Sequence, residues 1–125
     1  MRTDLNMRKG KMVAQGAHAS MMFLTTRIGL WGRAPNEMFV DARLGITDPE
    51  AQWIRGTFTK ICVGVDSLYE LLNVRDQAYL NGLTQHLVTD SGLTEFDGVP
   101  TMTCVAIGPN YADEIDKITG HLRLL

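Results

Sequence analysis

The stretch KICVGVDSLYELLNVRDQAYLNGLTQHLVT, residues 60–89, reads as a strand, a helix and a second strand. Lys60–Val65 alternates, with Ile61, Val63 and Val65 on one face, the period-two pattern of a half-buried strand. Ser67 and Glu70 have capping-box spacing, so a helix starts there. Leu68, Leu71, Leu72, Ala78 and Tyr79 supply its apolar stripe to Asn81, and Gly82 closes it as the left-handed residue after the last turn. Thr84–Thr89 is the next strand. Downstream, Asp90–Pro100 is a loop rich in Gly, Asp and Thr. Thr101–Ile107 is a near-continuous run of apolar and β-branched residues, the kind buried on both faces. Gly108-Pro109-Asn110 turns into a last helix over about Tyr111–Thr119, stopped by Gly120, and Leu122, Leu124 and Leu125 can dock the tail.

Upstream, Thr47 and Glu50 form another capping box, with Pro49 in the first turn, Trp53 on the inner face and Gly56 as the stop. Lys11–Thr26 reads as a helix whose buried stripe is Val13, Ala17, Met21 and Leu24. Met1–Leu5 is a short strand entering a polar loop, Asn6–Gly10. The order predicts an α/β sandwich, a small mixed sheet with helices on its faces.

At 125 residues the chain is expected to be one domain, 1–125, able to bury a core without a disulfide or metal staple. Its longest uncharged apolar stretch, Ser20–Thr26, is far short of the roughly 20 residues of a membrane span, so no membrane partner is expected. Residues 1–11 are polar and basic, unlike a signal peptide. Cys62 and Cys104 both fall in strand-like runs and read as buried free thiols, which suits a reducing cytoplasm. The formal charge is −2, but it is unevenly spread. Residues 1–33 carry six basic groups against Asp4 alone, a local +5, whereas residues 34–125 carry six basic and thirteen acidic groups, −7. A basic pole of this kind binds a polyanion, or it is a solvated surface.

Two polar groupings are candidates for chemistry. Lys11, Gln15 and His18 lie at i, i+4 and i+7 and share one helix face, expected to lie opposite Val13, Ala17 and Met21. A lysine at a helix N-terminus after Gly10 suits an anion or a developing oxyanion; the alternative is a solvated face. The Gly-Lys pair is not a phosphate-binding P-loop, since Leu5 stands where its first glycine belongs. The second grouping is the Asp90–Thr101 loop, placed after a strand where α/β folds set ligands; its Asp and Thr residues equally suit turns. His18, His86 and His121 lack metal-ligand spacing, so no metal is expected.

The motifs carry the reading further. Arg2-Thr3-Asp4-Leu5-Asn6-Met7, Gly10-Lys11 and Ala14-Gln15-Gly16-Ala17-His18-Ala19 closely resemble the opening of the type II peptidyl-tRNA hydrolases, the archaeal and eukaryotic kind. So do Asp90-Ser91-Gly92-Leu93-Thr94, Gly98, Thr101, Ile107-Gly108-Pro109, and the C-terminal Ile115-Asp116-Lys117-Ile118-Thr119-Gly120-His121-Leu122. The resemblance covers 2–27 and about 52–125. It implies a three-layer sandwich, with a four-stranded mixed β-sheet between helical layers, in a cytoplasmic enzyme that is often a homodimer. It also implies a reaction without a metal or organic cofactor, hydrolysis of the ester joining a peptide to the terminal ribose of tRNA. By the family pattern Lys11, Asp90 and Thr94 are implicated in catalysis, and Gln15, His18 and Thr101 line the site. Arg2, Arg8 and Lys9, in the basic pole, are expected to hold tRNA.

Three departures stand out. Only one residue precedes Arg2, where the family has several apolar strand residues, so the first strand is expected to be clipped. The family's Asp-Ala-Gly is Asp90-Ser91-Gly92, a small-for-small change. Residues 28–58 read as a family-atypical insertion, and 28–52 match no family counterpart. A catalytically silent RNA- or protein-binding member is the rival reading; Lys11, Asp90, Thr94 and Thr101 standing together argue against it.

Overall fold

The computed structural model describes residues 1–27 and 45–125. Its elements are α1 (Lys9–Arg27), α2 (Asp48–Arg55), β1 (Val63–Gly64), α3 (Leu68–Leu80), β2 (Gln85–Asp90), β3 (Thr101–Ile107), α4 (Ala112–Thr119) and β4 (Arg123–Leu124), with a 3₁₀ turn at Phe96–Gly98. The chain is a mixed α/β fold, as the alternation of strand and helix patterns predicts. Among the described residues the strands are not paired as one continuous four-stranded ladder. They form two antiparallel pairs, β1 with β4 and β2 with β3. Residues 1–3 lie between them: the Arg2 amide donates to the Thr103 carbonyl, while the Thr3 amide donates to Val65 and the Val65 amide to Met1. Arg2 makes a single parallel bridge to Val65. So short a segment makes a bridge and no ladder of its own, so it links the two pairs without counting as a strand.

The helix ends follow local chemistry. The Ser67 hydroxyl accepts from the Glu70 amide, and Gly82 takes φ +71° just beyond α3. Along α3 the buried residues are Leu71, Val74 and Ala78, whereas Leu68 and Tyr79 from the expected stripe are exposed. The core joins these three to Val65, Leu83 and Ile118, with Leu87, Val105, Ile107 and Leu122 packed around them. The tail docks as a strand, β4, with the Leu125 amide donating to the Cys62 carbonyl. The strand expected at 60–65 shrinks to Val63–Gly64, leaving Ile61 and Cys62 exposed; only Cys104 is a buried thiol. The Leu125 amide bonds the Cys62 carbonyl on one flank, and among the described residues no ladder includes Ile61 or Cys62.

The largest correction concerns α1. Its buried residues are Gln15 and Phe23, with Gly16 and Ala19 half-buried on the same side, while Val13, Ala17 and Met21 face outward. The helix is therefore turned relative to its hydropathy pattern. Gln15 goes inside because both ends of its amide find partners there, which removes the penalty of burying a polar group.

Most of the expected insertion, residues 28–44, lies outside the described residues. The remainder packs against the C-terminal end of α1. Trp53 meets Phe23 edge to face at 5.7 Å between ring centroids. Arg27 forks onto the buried Glu50 carboxylate at 2.7 and 2.5 Å, and that carboxylate also accepts the Thr47 amide at the start of α2. The Arg27 hydrogen bonds hold the Glu50 carboxyl below the usual carboxylate range.

His86, on β2, has a buried Nε2 without a hydrogen-bond partner among the described residues; burial, then the Arg27 charge, pushes its pKa below the ordinary histidine value. The unfolded chain therefore takes up a proton at His86 before the folded one does. Stability is expected to fall as pH drops below about 6.5. His86→Gln should flatten the dependence of Tm on pH between 5 and 7, as read by thermal unfolding in a pH series. An unchanged slope would count against His86 as the titrating group.

Candidate active site

α1 and the β2–β3 hairpin bring together residues far apart in sequence. Lys11, in the first turn of α1, points Nζ at Asp90 Oδ2, 2.6 Å away, and at Thr94 Oγ1, 3.0 Å away. Asp90 ends β2, opposite Thr101 in the antiparallel register. The side chains of Lys11 and Asp90 are only 11% and 12% exposed, so water screens the pair poorly. The Phe96 ring lies 5.8 Å from Nζ.

Asp90 is held from three directions. Lys11 and Gln15 Nε2, the latter at 2.8 Å, share Oδ2, and the Gly92 amide donates to Oδ1 at 2.8 Å. The Lys11 hydrogen bond is the main cause that keeps this carboxyl below the usual range, with the Gly92 amide, the Lys11 charge and Gln15 adding to it. Asp90 is an anion throughout the neutral range.

Behind Gln15 stands Thr103, fully buried on β3, whose hydroxyl donates to Gln15 Oε1 at 2.5 Å. This bond orients the Gln15 amide so that its NH₂ group faces Asp90. Thr103 is the functional residue that the sequence analysis missed. It sits in an apolar strand run, where a threonine reads as an ordinary β-branched residue. In the register Val88 faces Cys104 and Thr89 faces Met102, which leaves Thr103 as the extra residue of a β-bulge, a placement that no local sequence pattern marks.

The remaining candidates separate. Arg8 Nε pairs with Glu95 at 2.7 Å and its guanidinium reaches the Thr94 carbonyl, tying the loop after β2 to the start of α1; its side chain is still 76% exposed. Lys9 is exposed and without a hydrogen-bond partner among the described residues. Arg2 differs: its guanidinium is engaged by the Asp4 carboxylate and the Met102 carbonyl and is mostly covered, so it braces the fold and offers little to a phosphate. The Thr101 hydroxyl is taken up by the Val99 carbonyl, closing the base of the loop. His18 is exposed, two turns along α1 from Lys11, on the wall of the same cleft.

That cleft, about 480 Å³, runs between Arg8, Lys11 and His18 on one side and Asp90, Thr94 and Glu95 on the other. A larger cavity of about 620 Å³, between Phe23, Trp53 and Val105–Pro109, is lined mainly by apolar side chains and includes none of these residues. The small cleft thus combines a buried, anchored anion, a cation with a donor to spare, and a hydroxyl. Lys11 has three N–H donors and two are taken. Thr94 Oγ1 accepts from Lys11, so its own proton is free to donate. A partly dehydrated cation beside a hydroxyl donor is suited to stabilising negative charge that develops on a carbonyl oxygen.

The family described as Peptidyl-tRNA hydrolase PTH2 matches residues 1–125. A peptidyl-tRNA hydrolase of Methanocaldococcus jannaschii is 39% identical over 125 residues, covering 100% of this chain and 95% of the relative. Those of Metallosphaera sedula and Methanopyrus kandleri are 37% and 36% identical over 125 residues, with 100% of this chain and 95% and 93% of the relatives covered. The chain belongs to the peptidyl-tRNA hydrolase PTH2 family.

Proposed function

We propose that this protein hydrolyses the ester between a peptide, or an N-blocked amino acid, and tRNA, releasing free tRNA. The observation that carries the reading is the Lys11–Asp90–Thr94 cluster at the mouth of the cleft, in a chain of this family. Water attacks the carbonyl carbon. The carbonyl–ribose oxygen bond breaks, and the proton ends on the ribose hydroxyl. Lys11, kept in place by Asp90, presents its remaining N–H to the tetrahedral oxyanion. Thr94 donates its hydroxyl proton to water or substrate. Asp90 has three of its roughly four acceptor sites filled, which leaves one to hold the attacking water. Gln15 acts by positioning Asp90. Holding reactants and developing charge in place suffices for an ester, without a covalent nucleophile. The test is release of free tRNA from an N-blocked aminoacyl-tRNA by the purified protein. Binding of that substrate without turnover would sink the hydrolase reading.

The tRNA backbone is held on the basic side of the cleft by Arg8 and Lys9. Arg8→Ala with Lys9→Ala should weaken binding and reduce the slope of log K against log salt by between about 1 and 2, since fewer counterions are released per complex. An unchanged slope would reject this surface.

The whole chain is read as one cytoplasmic hydrolase domain, with 28–58 as an insertion, of whose described part Glu50 is tied to α1 by Arg27. The two strand pairs, joined through residues 1–3, are read as one mixed sheet between helical layers. No described helix is long and apolar enough to cross a membrane. A homodimer is proposed through the outward stripe of α1, where Val13 is 73% and Met21 47% exposed. Met21→Glu should then yield a monomer by light scattering; an unaltered mass on that variant, or a monomeric parent protein, would refute the interface.

A further inference from the structure

Three successive residues of the loop after β2, Phe96, Asp97 and Gly98, take φ of +69°, +52° and +77°. Glycine adopts this left-handed region freely and aspartate or asparagine tolerates it, but a bulky side chain there is a strained outlier. Phe96 is therefore held against its own preference. The fastenings lie on both sides of it. Arg8 Nε binds the Glu95 carboxylate at 2.7 Å, the Val99 amide donates to the Phe96 carbonyl at 2.8 Å, and the Gly98 amide donates to the Gly92 carbonyl at 3.0 Å. Strain persists where the surroundings over-determine the backbone in this way, and it gathers at functional sites.

The strained backbone delivers a ring to the reactive cation. The half-buried Phe96 has its ring centroid 5.8 Å from Lys11 Nζ. That distance is the outer limit of a direct cation–π attraction, so the ring acts chiefly by excluding water. Phe96 is not among the residues that line the cleft, whereas Lys11, Asp90 and Thr94 all are. The ring thus meets Lys11 from outside the cleft and leaves the cleft itself open to substrate. An apolar group on that side lowers the effective dielectric around Nζ. The ammonium then stays on Asp90 and Thr94 and acts more strongly on negative charge developing in the cleft.

We propose that Phe96 is a positioning residue for the hydrolysis, an apolar cover that keeps water off the outer side of the Lys11 ammonium. This rests on the hydrolase reading. The test compares the parent protein with Phe96→Asn, which keeps a residue tolerant of the left-handed turn and removes the apolar cover. On an N-blocked aminoacyl-tRNA, kcat should fall about tenfold with KM nearly constant, less than the loss of the oxyanion donor itself. The ammonium protons of Lys11, followed without substrate by nitrogen–proton correlation NMR and assigned by their disappearance in Lys11→Ala, should be visible in the parent and exchange-broadened in Phe96→Asn. Phe96→Leu restores apolar bulk without a ring and should recover most of both effects. Parental kcat in Phe96→Asn, an unchanged ammonium signal, or no such signal in the parent would each overturn the proposal. So would a Phe96→Leu as impaired as Phe96→Asn, since the ring itself would then be what matters. If Phe96→Asn fails to fold, Phe96→Gly, which relieves the strain, is measured in its place with the same outcomes. A parent protein that turns over no substrate refutes the hydrolase reading, while the ammonium signal still decides whether Phe96 covers Lys11.

Discussion

Lys11→Ala is expected to lower kcat by about 10²–10³, the loss associated with removing one oxyanion donor, while leaving the protein folded. Nζ is the only cation whose hydrogen bonds reach both Asp90 and Thr94 among the described residues. Its loss therefore removes the charge facing the oxyanion and also frees the Thr94 hydroxyl from its orientation. Asp90→Asn should cost a similar factor. A neutral amide no longer holds the ammonium by charge, and it cannot accept the Lys11, Gln15 and Gly92 donors together without turning one of its own N–H groups towards a donor. Because the two side chains are in contact, the double variant should lose little more than either single one, as residues acting as a unit do. Single-turnover rates for the two singles and the double decide this. Near-parental turnover in Lys11→Ala would remove the lysine from the mechanism, and multiplicative losses would show that the two residues act separately.

Thr103→Val is expected to lower kcat by about tenfold and stability by about 1–3 kcal/mol, although Thr103 is placed to touch no substrate. Valine matches threonine in shape, so the change removes one hydroxyl and leaves packing nearly intact. The buried Gln15 Oε1 then lacks its donor, which carries the cost of an unsatisfied buried acceptor. Only the bond to Asp90 then holds the Gln15 amide, so Gln15 and the carboxylate it supports can shift from their parental positions. Thr103→Ser keeps the hydroxyl and should restore most of the activity. A purely structural threonine would change Tm alone; a positioning one changes kcat with KM nearly constant and is rescued by serine. Denaturant unfolding and kcat on an N-blocked aminoacyl-tRNA measure the two effects side by side. Full activity in Thr103→Val would show that Gln15 needs no such anchor.

Much of the architecture was legible because it depends on short-range chemistry. Ser67 with Glu70, Gly82 after α3 and the run Thr101–Ile107 each specify a local conformation through neighbours within a few residues. The Lys60–Val65 strand was legible only in part. Its alternation was correct as a pattern, but a strand needs partners, and ladder pairing survives only at Val63–Gly64. The candidate site was legible through motifs that named Lys11, Asp90 and Thr94. Their spacing along the chain, 79 residues for Lys11 and Asp90, carries no geometry.

The sequence by itself determined the class of fold, the boundaries of α3 and α4 to within a residue or two, and the residue types available for chemistry. Tertiary structure decided which side of α1 faces inward. Hydropathy placed Val13 and Met21 in the core, and they are exposed; it placed Gln15 outside, and it is 1% exposed. The physical reason is that a polar group is costly to bury only when its hydrogen bonds go unmade. The partners that meet those of Gln15, Asp90 and Thr103, stand 75 and 88 residues away. No local pattern around Gln15 records them, and only the folded chain brings them to the two ends of its amide.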